Sequence, residues 1–399
     1  VTSGSALASR ARPTKRDEAW RYAPHSLLGE LTFSEPDASV AVGDAIDDLL
    51  PGHAGPRIVI VSGAVDAARS DLTDVADVRV STLRDALDQS DPLASTHLQV
   101  AHDADAFTAA NAEFGHDGVV IDIEPGATVA GAIHVIDIAV PQAGANTSNT
   151  GVVVHLGAGA TATVVETRLG LSRGLGGSNV RTTITLDEEA TLEHVVVQDL
   201  PDDQVHLGRV EVAQAAASTY KARAFNVGAV YGRLAFHVDL QGTGALADLS
   251  GLSFGTGEQT LDQQVNVVHA VEGTTSRQSF RAVLDDRSVG VFNGGIVVCP
   301  GADGSDATQT SANLLLSDRA EVNTQPRLEI LADEVACTHG ATVGQLDDEA
   351  LYYLRSRGIP AAAARRLLVD GFADQVVDAV SVDDVRASIA ERIGHQGHA

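Results

Sequence analysis

Residues 314–359 read LLLSDRAEVNTQPRLEILADEVACTHGATVGQLDDEALYYLRSRGI, and the change of texture inside this stretch decides the fold. Its first part consists of short runs bearing Val, Thr, Leu and Ile, broken by acidic or small residues, as strands and turns should be. After Gly344 the pattern turns helical. Asp347 caps a helix reaching Arg355, Leu351 and Leu354 share one face, and Gly358 is placed as a left-handed stop. Pro360 then takes the first position of a second helix with the apolar stripe Leu367, Leu368, Phe372, Val376 and Val380. Ser381 and Asp384 resemble a capping box for a third helix bearing Val385, Ile389 and Ile393.

Upstream, the strand texture extends back to about residue 107 with little helical periodicity. A small-residue corner followed by a strand recurs: Gly159-Ala160-Thr161 is echoed by Glu189-Ala190-Thr191, by Ala217-Ser218-Thr219 and by Gly244-Ala245-Leu246. More diverged copies begin near Ser288 and Ala320. The spacing centres on roughly 30 residues, within the range of stacked repeats. Such a unit cannot bury its apolar face alone and needs a neighbour on either side. The pattern therefore predicts a β-solenoid with Ala160, Ala190 and Ala245 pointing inward. An antiparallel sandwich would need tight hairpins, and Asn293-Gly294 is the only Asn-Gly pair.

The divisions expected are a mixed helix-and-strand segment over residues 1–106, the solenoid over 107–344 and a helical segment over 345–399. Within the first, residues 57–61 read as a strand. Trp20 and Tyr22 are expected to anchor a short helix to the core.

Composition narrows the function. The 399 residues carry a formal charge of −27, which disfavours phosphate backbones and anionic lipid as partners, so neither nucleic acid nor membrane is expected. Two cysteines, Cys299 and Cys337, make no disulfide framework and suit a reducing cytoplasm. No signal segment and no membrane-spanning apolar run is visible, and the leading Val1 reads as a non-standard start or a processed end.

Two enzyme-like patterns lack their context. Gly157-Ala158-Gly159-Ala160-Thr161-Ala162 matches a dinucleotide fingerprint, but β-branched strand follows where a helix must open. Gly251-Leu252-Ser253-Phe254-Gly255 matches a hydrolase elbow, with Asp285 and His339 downstream in the right order, yet no long helix follows it. Neither lysine, Lys15 nor Lys221, sits in a P-loop.

Cys337 and His339 are different. Two apart on an extended strand, they present both side chains to one face, and thiolate with imidazole suits iron or zinc. Two ligands are too few for a closed site, and a buried thiol beside a hydrogen-bonded histidine is the plainer reading of the residues alone.

The segment Cys337-Thr338-His339-Gly340-Ala341-Thr342-Val343-Gly344 resembles the SufB/SufD family of iron–sulfur cluster assembly scaffolds, on its SufD branch. Arg16-Asp17-Glu18-Ala19-Trp20-Arg21-Tyr22, Phe292-Asn293-Gly294-Gly295 and Leu314-Leu315-Leu316-Ser317 resemble it too. One departure is Gly301-Ala302-Asp303-Gly304-Ser305-Asp306-Ala307, where the family has a Gln-Lys pair before Thr-Asp-Ala.

The resemblance implies a right-handed parallel β-helix and a cytoplasmic scaffold subunit that catalyses no turnover. It implies edge-to-edge pairing with SufB through terminal β-helix strands, and docking of the ATPase SufC on the C-terminal helices, at Ser356, Arg357, Gly358 and Ile359. It makes His339 and Cys337 the cluster-assembly interface and metal ligands. Iron or a nascent cluster would be shared transiently with SufB, with no tightly bound cofactor. Self-pairing through the same strands is implied for the chain alone. The alternatives are a β-solenoid hydrolase or lyase and a purely structural homodimer.

Overall fold

The computed structural model describes residues 10–396 apart from 36–45, 48, 51–55, 72–75, 101–103, 141–144 and 172–173. Strands dominate, and they wind into a parallel β-solenoid of about seven turns. Each turn contributes one strand to each of two facing ten-stranded sheets. One sheet stacks Gly118–Ile123, Asn146–Leu156, Gly177–Leu186, Val205–Gln214, Tyr231–Leu240, Thr260–His269, Val289–Val298 and Glu321–Ile330. The other stacks Thr128–Ala139, Thr161–Gly170, Thr191–Asp199, Thr219–Asn226, Leu246–Gly255, Thr275–Leu284, Asp306–Leu315 and Ala336–Gln345.

Alternation along each strand sends every second side chain into the space between the sheets. Val154, Ile184, Leu192, Tyr220, Phe236, Leu249 and Val267 form one continuous core there. Ala160, Ala190 and Ala245 lie fully buried at the corners, as the repeat predicts. The register refines the repeat itself. Thr161, Thr191, Thr219, Leu246, Thr275, Asp306 and Ala336 stand in one column. The later copies of that corner are therefore at Thr274 and Ser305. Ser288 and Ala320 belong to the opposite corner, before Val289 and Glu321 of the other sheet. Each turn has two small-residue corners, and the sequence pattern merged them.

Outward-facing apolar residues are covered by the flanking segments. Trp20 ends a single 3-10 turn, Glu18–Trp20, and is buried against Phe107 at 5.1 Å between ring centroids. Tyr22, expected to help anchor this segment, is 42% exposed; the turn is too short to bring both rings to one face. Arg57–Val61 extends one sheet in parallel with Thr128–Ala139, and Val78–Thr82 closes the other as an antiparallel strand beside Gly118–Ile123. A helix, Ala106–Phe114, leads into the solenoid.

At the other end, Asp348–Ser356 is capped by the Asp347 carboxylate, and Gly358 takes φ +87°. Pro360 is the cap of Ala361–Val377 and lies one residue before its first position. The last helix, Asp383–Gln396, starts after Ser381, whose backbone N–H donates to Glu193 in place of a capping box. These two helices cover the outward residues Val165, Val195, Phe225, Leu252 and Val283 with Val369, Ala373, Val376, Val385, Ile389 and Ile393. Arg281 lies 4.7 Å over the Phe372 ring, and Arg392 forms a bidentate pair with Asp199. Leu367 departs from the predicted stripe and is 52% exposed. No helix among the described residues is long and apolar enough to cross a membrane.

Candidate functional site at the terminal coil

The solenoid is closed unequally at its two ends. The last strands, Glu321–Ile330 and Ala336–Gln345, each pair on one side only, with Val289–Val298 and Asp306–Leu315. Among the described residues nothing pairs with their outer edges, where alternate residues of each ten-residue strand keep free C=O groups and, except at Pro326, free N–H groups, a template for another strand. Almost every residue of Ala336–Gln345 is exposed, because no further turn covers the interior at this end.

Cys337 and His339 lie on this edge strand. Their partners in register are Ala307 and Gln309. Ala307 and Gln309 are fully buried, so both columns run through the solenoid interior and surface at the terminal coil. His339 is exposed there. Cys337 is half-buried in a small apolar corner with Val298, Ala302, Ala307 and Val335. Burial pushes its thiol pKa up, against the Ala307 backbone N–H and with Asp306 adding in the same direction. A raised thiol pKa keeps less thiolate available as a ligand. Cys299 is a second free cysteine, at the end of a strand on the other sheet.

Ser356, Arg357, Gly358 and Ile359 lie elsewhere, on the turn beyond the helix that leaves the edge strand. The Arg357 guanidinium lies 5.1 Å over the exposed Tyr353 ring, and the Ser356 hydroxyl donates to the Tyr353 carbonyl. Ser356, Arg357 and Gly358 are exposed and Ile359 is half-buried. The structure thus presents two separate surfaces, the open coil and the helical turn.

The hydrolase elbow is not formed. Ser253 is 3% exposed in the middle of Leu246–Gly255, facing the interior. Gly157 to Ala160 make a tight turn between strands, with no helix after it. The cavities of about 410 and 270 Å³ lie against the outer faces of the sheets, and neither includes Cys337 or His339. Among the described residues no three His, Cys, Asp or Glu side chains gather closely enough to hold a metal ion.

Residues 139–372 match the family model described as the SUF system FeS cluster assembly, SufBD core domain. The chain belongs to the SufBD family. The matched span takes in Cys299, Cys337, His339 and the turn at Ser356 to Ile359. Over 395 residues the chain is 28% identical to the iron–sulfur cluster assembly protein SufD of Escherichia coli, covering 96% of this chain and 89% of that one. It is 26% identical to a SufBD family iron–sulfur cluster assembly protein of Synechocystis, over 96% and 87% of the two chains. A shorter stretch, 39% of this chain and 36% of the relative, is 34% identical to SufD of Bacillus subtilis. This member of the SufBD family is thus a component of SUF-type iron–sulfur cluster assembly.

Two features of the SufBD core here escape a residue-by-residue reading. Gln309 lies directly beneath His339, and only the turn register of about 30 residues could have paired them. A buried polar cluster of Glu166, Arg168, His194 and Tyr220 sits deep in the solenoid, where its spacing looks like ordinary strand sequence.

Proposed function

We propose that this chain is a non-catalytic, SufD-type subunit of a SUF scaffold, working in the cytoplasm. It pairs with a SufB subunit along the open edge of the terminal coil. The observation that carries this is the pair of free ten-residue edges flanking an interior column that ends in an exposed imidazole. An uncovered edge of this length is a liability unless a partner strand completes it.

In this reading iron or a nascent cluster is cargo, held briefly between the two subunits, and no cofactor is tightly bound. His339 supplies the nitrogen ligand from this side. Cys337 is the lesser ligand, since burial disfavours its thiolate. Among the described residues His339 and Cys337 gather too few donors for a closed site, which supports completion by another subunit. The SufC-type ATPase docks on the C-terminal helical surface around Ser356, Arg357, Gly358 and Ile359, and its dimerisation strains the subunit interface to expose the site. Without SufB, the same edges pair two copies of this chain.

Anaerobic co-expression with SufB and SufC, reading cluster absorption with and without His339→Ala, tests the assignment. Loss of cluster build-up with the three subunits still co-purifying is the expected result. Normal build-up in the variant makes His339 a packing residue and removes the shared site.

A further inference from the structure

Gln278, Gln309 and His339 occupy one inward column on three successive turns. Gln309 is fully buried, and its Nε2 donates to Gln278 Oε1 at 2.6 Å, so amides on adjacent rungs do reach one another. Its own Oε1 is buried without a hydrogen-bond partner. Gln278 Nε2, the other end of that amide pair, is likewise buried without a partner, while two donors on neighbouring side chains are committed elsewhere. Thr324 Oγ1 donates to Ser311 Oγ, and Asn313 Nδ2 donates to Ser311 Oγ and to the Thr342 carbonyl. The opposite wall is shaped to admit the Gln309 amide, because a Cβ at Gly294 would stand 2.4 Å from Nε2. The next rung of the ladder is His339, and a neutral imidazole carries one N–H donor and one lone pair.

From this ladder we infer that Gln309 is a positioning residue: its Oε1 accepts the Nδ1–H of His339 and thereby leaves the Nε2 lone pair free for iron. The inference rests on the assignment of His339 to the shared site. A histidine ligand whose other nitrogen is fixed by a hydrogen bond has a set tautomer and ring orientation. Here the fixing group belongs to the solenoid interior and is in place before any partner docks. Gln278 in turn holds Gln309, so the ring is oriented by a chain of amides two turns deep.

The test is ring-nitrogen NMR on the full-length chain labelled with 15N-histidine, at alkaline pH, with the His339 signals assigned by their loss in His339→Ala. The expected wild-type spectrum shows His339 protonated at Nδ1. Gln309→Met, similar in shape but with no acceptor, shifts the ring toward the Nε2–H form. Gln309→Glu, a carboxylate at this pH and so still an acceptor, restores Nδ1–H. Melting curves of the three proteins identify any that fail to fold, and Gln309→Leu replaces Gln309→Met if that variant does. In the complex with SufB and SufC, Gln309→Met lowers cluster yield severalfold without loss of co-purification. Identical His339 ring signals in wild type and Gln309→Met overturn the inference and leave a bound water as the partner of Oε1. Ring signals that respond to Gln309 while His339→Ala still builds clusters normally keep the hydrogen bond but overturn its functional role, together with the shared site.

Discussion

His194 Nε2 lies 2.9 Å from Glu166 Oε1 in the middle of the solenoid, with both side chains fully buried. The Tyr220 hydroxyl sits 2.9 Å from His194 Nδ1, which completes a neutral imidazole between an acceptor and a donor. Arg168 already meets the Glu166 charge, so burial, reinforced by Arg168, holds the His194 pKa down to about 3. Burial does the same at His97, also to about 3, and at His237 and His269, to about 4; His206 is lowered as well.

These histidines make the fold acid-labile. Each is neutral when folded and takes up a proton when unfolded below about pH 6.5. Their contribution is complete above that pH and is lost as pH falls toward the folded values of about 3 to 4. Asp117, Asp137, Asp239 and Asp374, raised by burial, act in the opposite sense and offset part of this loss. Melting temperature is expected to fall steadily from pH 7 to pH 4. His194→Gln should flatten that profile, and a profile flat in the wild type would contradict the neutral buried state.

Overpacking the corners should destabilise the stack. Ala190 is fully buried, and a Cβ at Gly242 would lie 2.1 Å from the Ala216 nitrogen of the turn beneath. Ala190→Leu is expected to cost about 1–3 kcal/mol, and Gly242→Ala at least as much, because backbone cannot swing aside as a side chain can. Denaturant melts of each variant read this directly.

A proline on the open edge should separate folding from pairing. The Ala336 N–H bonds to the Ser305 carbonyl, so by alternation the N–H of Ala341 points to the free edge. Ala341→Pro removes no ladder bond within the chain. Its melting temperature should stay close to wild type while co-purification with SufB, and self-pairing, are lost. Retained SufB binding would move the interface away from this strand.

The exposed aromatic and aliphatic side chains of the C-terminal helices offer a gentler test of ATPase docking than truncation. Deleting everything after Gly358 would also uncover Val165, Phe225 and Leu252 and so disturb the solenoid itself. Tyr352, Tyr353 and Leu367 are 75%, 57% and 52% exposed. Tyr353→Ala with Leu367→Ser should weaken SufC binding at least tenfold with little change in melting temperature. Unchanged binding would place the docking surface elsewhere.

Much of the fold was legible in the chain. Small residues at Ala160, Ala190 and Ala245 announce tight, stackable corners, and Asp347 with Gly358 brackets a helix, because caps and corners are local chemistry. Tyr22, Leu367 and Ser381 were misread for a shared reason. Whether a side chain is covered depends on a surface supplied from far along the sequence, and neither a stripe nor a capping pattern contains that surface. The site was legible in part: Cys337 and His339 stand out by residue type, whereas Gln309 does not.

By itself the sequence determined the repeating strand-and-corner unit, the helical end and the thiol–imidazole pair, all of which depend on neighbours a few residues apart. Register between turns was left to the tertiary structure. Stacking about 30 residues on is what sets Gln309 under His339, gives Gly294 its reason to lack a side chain, and encloses Glu166 with Arg168 and His194. It also decided that the last two strands end uncovered. A strand reads the same in sequence whether its edge is paired or free, because the hydrogen bonds that differ are made by backbone that every residue shares.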